Sequence, residues 1–311
     1  MPELRVGERR WSVAPGSNLL DALNRNGESV PYSCRAGSCH ACLVQCLKGL
    51  PSDSRPDALS PEQRQQGWRL ACQCEVVEDL QVHTFDPLQD GRPAEVSAVD
   101  WLSANVLRLR LVPQRPLRYS AGQHLVLWAG HVARPYSLAS LPQEDRFLEF
   151  HLDCRQPGAF SDAARRLQIG DSIRLGELRG GALHYDLDWH ARPLWLMAAG
   201  TGLGPLFGIL REALQQDHQG AIRVIHLAHD ANEHYLAKPL QAMAASRSNL
   251  NVEFWTPAEL PTTLAQLRLV SRQTQALLCG APESVDAFAR RLYLAGLPRN
   301  QSLADVFLPR G

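Results

Sequence analysis

Apolar and polar residues alternate with period two over 3–6 and 10–13, either side of a turn at Gly7-Glu8. The period lengthens to that of a helix over 19–26, where Ser17 or Asn18 is placed to cap the start and Gly27 to stop the end. A further strand pattern covers 68–83, so residues 1–88 read as a small α+β unit. The stretch 85–93 carries two prolines, a glycine and no periodicity, and reads as a linker. From 94 to 190 the chain is a series of short strand-like runs, at 95–99, 106–112, 124–129, 147–153 and 172–175, with one short helix over 161–167. Many short strands at this spacing predict an antiparallel β-barrel. Over 192–311 the rhythm changes to strands at 194–198, 222–228, 251–255 and 276–279, alternating with helices at 204–215, 234–245 and 283–294. That alternation predicts an α/β unit with a parallel sheet. The fold class expected is therefore multidomain.

Composition narrows this picture a little. Of the 311 residues, 45% are hydrophobic and 21% charged, with a formal net charge of zero, which gives no reason to expect a nucleic-acid or membrane partner. The first residues lack an apolar signal-peptide core and no apolar run approaches a membrane span, so a cytoplasmic location is expected.

Six of the eight cysteines fall between Cys34 and Cys74. Clustered cysteines in a long chain of this kind point to metal rather than to disulfides. Cys34, Cys39 and Cys42 have the spacing C-x4-C-x2-C, and Cys72 follows at a distance, which is the plant-type pattern for a [2Fe–2S] cluster. Structural zinc favours paired C-x2-C knuckles, which this spacing does not supply, and His40 lacks the second Cys-x-His pair that a Rieske centre needs. Gly37 can take a positive φ, and Arg35, Ala36 and Ser38 can aim backbone N–H groups at sulfur. Cys74 competes with Cys72 as fourth ligand, since the two would share a face of a strand; the Leu70-Ala71-Cys72-Gln73 context favours Cys72.

Two further segments carry chemistry. Arg134-Pro135-Tyr136-Ser137 ends a barrel strand, and Leu196–Pro205 places Gly200, Thr201, Gly202 and Gly204 in a strand-to-helix turn able to approach a phosphate. The first segment resembles the R-x-Y-S motif of the ferredoxin–NADP⁺ reductase superfamily. By that resemblance Arg134 pairs with flavin phosphate, Tyr136 packs on the isoalloxazine and Ser137 lies near the flavin N5. Pro157-Gly158-Ala159-Phe160-Ser161 is similar to the family's G-G-x-x-S motif with Pro157 in place of the first glycine. The resemblance thus implies Gly158 and Ser161 at the flavin pyrophosphate, His151 and Leu152 along the flavin, and FAD in preference to FMN. The glycine turn resembles the family's A-G-G-T-G-x-x-P, with Ala199 in place of one glycine, and Cys279-Gly280-Ala281-Pro282 resembles its C-G-x-P motif. Cys279 and Gly280 are accordingly expected beside the nicotinamide, and Phe307, in the stretch 305–309, over a flavin face. Asp230 follows the strand over 222–228, and no arginine occurs in the hexapeptide 229–234, so NADH is expected, with NADPH possible.

The resemblance spans the whole chain: β-grasp ferredoxin, FAD barrel, nucleotide domain. This is the order of the reductases that serve Rieske dioxygenases and diiron monooxygenases, the benzoate dioxygenase reductase type, and CDP-6-deoxy-glucoseen reductase shares it. It implies a monomeric reductase passing electrons from NADH through FAD and its own cluster to a protein acceptor, an oxygenase or another redox enzyme. No side-chain acid or base is required. Residues 1–88 hold nine Lys and Arg against eleven Asp and Glu, so charge does not single out a partner. A redox-sensing module and a reductase for a deoxysugar dehydratase are the alternatives.

Overall fold

The computed structural model describes residues 1–32, 34–37, 39–180 and 182–308. Ser38 and Pro309, which enter two of the expectations above, lie outside the described residues.

The first unit is built from β1 (Glu3–Val6), β2 (Arg9–Ser12), β3 (Ser17–Asn18), α1 (Leu19–Arg25), β4 (Leu43–Lys48), β5 (Ser52–Asp53), α2 (Pro61–Gln65), β6 (Trp68–Leu70), β7 (Cys74–Val76) and β8 (Leu80–Thr84). Its main sheet runs β2-β1-β8-β4-β6, with β1 and β8 parallel and the other pairs antiparallel. Helix α1 is capped by Asn18, whose side chain accepts from the Asp21 N–H, and sends Leu19, Leu20 and Leu23 into the core of this β-grasp. The run 68–83 is not one strand. It divides into β6, a 3₁₀ turn at Ala71–Gln73, β7 and β8, because the chain must turn to bring Cys72 out of the sheet.

The second unit comprises β9 (Arg92–Trp101), β10 (Val106–Pro113), β11 (His124–Ala129), β12 (Val132–Ser137), β13 (Leu148–Asp153), α3 (Ala159–Ala164) and β14 (Ser172–Arg179). The six strands follow the order β12-β11-β14-β9-β10-β13, all antiparallel, and form a nearly closed barrel. Alternation places Leu107, Leu109 and Leu111 inside, against Phe150, Leu152 and Phe160.

In the third unit, β15 (Leu194–Ala199), α4 (Leu203–Gln215), β16 (Ile222–Leu227), α5 (Ala237–Ala245), β17 (Leu250–Trp255), α6 (Leu260–Gln266), β18 (Gln275–Gly280), α7 (Pro282–Leu294) and β19 (Ser302–Val306) form a parallel sheet in the order β17-β16-β15-β18-β19. Strand β15 is buried on both faces: Leu194, Leu196 and Ala198 enter one core and Trp195, Met197 and Ala199 the other. Continuous apolar character is what a central parallel strand requires. The segment 302–306, expected only as the approach to an aromatic tail, is the fifth strand of the sheet.

Candidate functional site at the junction of three units

The cysteine loop wraps back on itself through positive φ at Arg35, Gly37 and His40. Its backbone N–H groups point at sulfur: Ala36 and Cys39 both donate to Cys34 Sγ at 3.3 Å, and Cys34 donates to Cys39 Sγ at 3.5 Å. Gln73 Nε2 donates to Cys72 Sγ at 3.3 Å and to the Arg35 carbonyl at 2.8 Å, tying the distant cysteine to the loop. The thiols associate as Cys34 with Cys39 and Cys42 with Cys72. The Cys42 side chain donates to Cys72 and holds it down to about 7, while Cys42 itself is pushed up by that bond and by burial. Among the described residues no three His, Cys, Asp or Glu side chains converge on one point as a mononuclear site would need. Two thiol pairs lined with N–H donors fit two irons with two thiolates each. Cys74 is fully buried in the core of the unit, near Cys46, Asp53 and Arg69, and burial drives its thiol well above the ordinary range. The shared strand face that made it a competitor does not exist, because Cys72 sits in the turn.

The near pair opens into a cleft of about 1050 Å³, at the upper end of small-molecule sites. Its lining comes from all three units: Cys34 and Cys39; Arg134, Tyr136, Ser137 and His151; and Gly200, Thr201 and Phe307. Arg134 is half-buried, donates to its neighbour's carbonyl, Ala133 O, at 3.1 Å and makes no ion pair among the described residues. A cation without a carboxylate at a cleft wall suits a phosphate. Tyr136 packs on Phe160 with ring centroids 5.1 Å apart. These residues fit a flavin phosphate and an aromatic ring.

The other expected residues sit outside the cleft lining, each for a visible reason. Leu152 alternates with His151 and is in the barrel core. Ser161 is buried, its hydroxyl donating to Gly158 O at 3.0 Å, and α3 begins at Ala159, with Gly158 as its cap residue, rather than at Ser161. Asp230 accepts from the Asn232 N–H at 2.8 Å, capping the turn after β16. Cys279 is fully buried behind the cleft lining, and burial pushes its thiol up. Gly202 and Gly280 stand where two backbones approach closely. A Cβ on Gly202 would lie 2.3 Å from the Cys279 carbonyl, and one on Gly280, at φ +138°, would lie 2.5 Å from the Ala199 carbonyl.

Sequence reasoning missed the polar ties between the units. Glu233 is bonded by Asn105 and by Arg155, both from the barrel. Tyr235 Oη lies 3.2 Å from His151 Nδ1, and His151 Nε2 lies 2.9 Å from Glu149, which also accepts from Arg110 at 2.6 Å. Burial opposes ionisation of Glu149, but His151 and Arg110 outweigh it and bring its carboxyl down to about 2. His124 Nε2 lies 3.2 Å from the Cys39 carbonyl. No period or motif marks these residues, since each meets a partner distant in sequence.

Fold and site define an iron–sulfur flavoprotein oxidoreductase that uses a nicotinamide nucleotide. Three family descriptions match along the chain: a 2Fe-2S iron-sulfur cluster binding domain over 5–77, an oxidoreductase FAD-binding domain over 93–184 and an oxidoreductase NAD-binding domain over 196–290. The reductase component of the naphthalene 1,2-dioxygenase/salicylate 5-hydroxylase systems of Ralstonia sp. is 31% identical over 95% of each chain. The reductase subunit of an aromatic O-demethylase of Amycolatopsis sp. is 34% identical over 74% of this chain and 73% of that one. Among solved structures, the Amycolatopsis cytochrome P450 reductase superposes with a TM-score of 0.66 at 27% identity, covering 99% of both chains. The chain belongs to the [2Fe–2S]/FAD ferredoxin–NAD(P)⁺ reductase family, with a [2Fe–2S] cluster, FAD and NAD(P) as its cofactors and a protein as its electron acceptor.

Proposed function

We propose that the chain takes a hydride from NADH and delivers the electrons singly to the iron–sulfur component or active centre of an oxygenase. The observation that carries this reading is the single cleft lined by the near cysteine pair, the Arg134–Ser137 strand end and the Gly200 turn. A nicotinamide gives two electrons together and a [2Fe–2S] centre takes one, so a flavin between them supplies the conversion. The protein's part is binding and alignment. Cys34 with Cys39 and Cys42 with Cys72 hold the two irons. Arg134 binds flavin phosphate, Tyr136 and Phe307 cover the ring and Ser137 faces its reactive edge. The first turn of α3, with Gly158 and Ser161, and the strand at His151 and Leu152 border the rest of the flavin. Gly200, Thr201 and Gly202 bring backbone under the nucleotide phosphates, with Cys279 and Gly280 forming the floor beneath the nicotinamide.

NADH is preferred because His229 in the cleft and Asp230 beside it present no guanidinium to a 2′-phosphate. The oxygenase acceptor rests on relatives such as the Ralstonia and Pseudomonas putida reductases, whose names place them in naphthalene 1,2-dioxygenase systems. A monomer in the cytoplasm suits thiolate ligands and a nicotinamide supply. Among the described residues no helix is long and apolar enough to cross a membrane.

Anaerobic titration with NADH, followed by absorbance and electron paramagnetic resonance, tests the route. Flavin bleaching with a rhombic [2Fe–2S] signal is expected; bleaching with a silent, intact cluster overturns it. Catalytic reduction of a Rieske or diiron oxygenase component at NADH expense tests the acceptor, and cytochrome c reduction near zero would favour a sensor instead.

A further inference from the structure

His124 opens β11 and is nearly buried, yet the reading above gives it no task. In the antiparallel ladder its register partner is Ser137 on β12, and on the other side Arg179 on β14. Directly opposed residues place their side chains on one face with Cβ atoms about 5 Å apart. That face is the cleft wall, where His124 lies between Ser137 and the near cysteine pair, with Asp305 also in the lining. Its Nε2 is 3.2 Å from the Cys39 carbonyl, across 85 residues of chain. A carbonyl can only accept, so Nε2 carries the proton and donates. Beside this bond the contact is apolar: Ala41, Cys39 and Phe85 meet Val126, Trp128 and Ala133. Side chains of that kind hold two units together but do not fix where a carbonyl points.

We propose that His124 is the positioning residue for the flavin-to-cluster step, its imidazole N–H fixing the Cys39 carbonyl, and with it the near thiol pair, against the flavin edge beside Ser137. This rests on the proposed cofactor route. Oxidation of one NADH to NAD⁺ and a proton releases two electrons, so the crossing is made twice, and two one-electron acceptors are reduced outside. His124 exchanges no proton in this; it sets the distance and orientation.

The test is anaerobic stopped-flow mixing of the holoprotein with NADH, following flavin bleaching and cluster reduction separately, in His124→Leu and His124→Gln. Glutamine can return an N–H near the Nε2 position; leucine cannot. In His124→Leu, bleaching should stay within about twofold of the parent while cluster reduction slows by about tenfold or more, and His124→Gln should recover most of that loss. Hydrogen–deuterium exchange of the loop 34–42 should rise in the leucine variant and not in the glutamine one. If the leucine variant fails to hold its cofactors, His124→Phe, which fills the volume without a donor, takes its place with the same expectation. Cluster reduction at the parent rate in the donor-less variant overturns the proposal, as does a glutamine variant as slow as the leucine one. Loss of flavin bleaching in the parent itself would instead overturn the route on which the proposal rests.

Discussion

At the scale of single residues the cluster loop is decided by where N–H groups point. Cys72 receives Gln73 Nε2 and the Cys42 thiol, whereas Cys74, two residues on, is fully buried, and burial outweighs the nearby Arg69 and pushes its thiol up. A thiolate is favoured by donors and cations and disfavoured by burial. Cys72→Ser should therefore lose the [2Fe–2S] absorbance and resonance signals, while Cys74→Ala should keep both and cost about 1 kcal/mol of stability from a small cavity. Metal content and chemical denaturation of the two variants check this; cluster loss in Cys74→Ala with Cys72→Ser intact would reverse the ligand assignment. The proposed loop ligands Cys34, Cys39 and Cys42 stand out in sequence because C-x4-C-x2-C is a local pattern. Cys72 is favoured only by its local context, because whether Cys72 and Cys74 share a face depends on a turn that tertiary pairing imposes at Ala71–Gln73. His124 was illegible for a similar reason, since an imidazole at a strand start is unremarkable until the Cys39 carbonyl is beside it.

At the scale of elements, the nucleotide turn works by close approach of backbones. The ends of β15 and β18 meet with Gly202 against the Cys279 carbonyl and Gly280 against the Ala199 carbonyl, so neither site has room for a methyl group. Gly202→Ala should push the turn off β18, cost about 1–3 kcal/mol and weaken NADH binding, with FAD content unchanged. Equilibrium dialysis of the nucleotide against flavin occupancy separates the two effects. Beneath the same turn His226 is wholly buried, its Nε2 donating to Gly200 O at 3.2 Å and its Nδ1 3.3 Å from His234 Nδ1. Burial first, and His234 second, lower its pKa from 6.5 to about 3. Below its unfolded value the unfolded chain binds a proton the folded one refuses, so stability is full above about pH 6.5 and falls as pH drops toward 3. Between pH 7.5 and 5 that loss should be about 2 kcal/mol, and His226→Gln should remove it. Urea midpoints read by tryptophan fluorescence at both pH values measure the difference. These strands were legible in sequence because β15 is apolar without interruption and its glycines follow at once. Strand β19 was not: in Ser302–Val306 no residue is fully buried, and the segment becomes a strand only by pairing with β18.

At the scale of the whole molecule, the three units each have a core of their own, so what remains to be specified is how they meet. The loop after β16, whose His229 lines the cleft, is fastened to the barrel by Glu233, bonded by Asn105 and Arg155, and by Tyr235, bonded to His151. The His151 ring spans the junction, its Nε2 2.9 Å from Glu149 and its Nδ1 3.2 Å from the Tyr235 hydroxyl. The same His151 ring comes within 3.3 Å of where a Cβ on Gly204 would stand, at the start of α4. The segment 233–235 thus ties the loop after β16 to the barrel wall of the cleft, and in the route proposed above a small rotation about it would carry the nicotinamide away from the flavin. Replacing both ties, Glu233→Gln with Tyr235→Phe, should leave FAD content and the NADH dissociation constant within about threefold of the parent, while flavin bleaching at saturating NADH slows by about tenfold, equivalent to ~1.4 kcal/mol of lost alignment. Single-turnover kinetics with NADH deuterated at the transferred position add the discriminating reading. If alignment is what the clasp supplies, the slowed step is hydride transfer and its isotope effect should rise toward the intrinsic value. An unchanged bleaching rate, or a rate lost only through weaker nucleotide binding, would mean that apolar contact between barrel and sheet is enough to hold the two reacting rings in register.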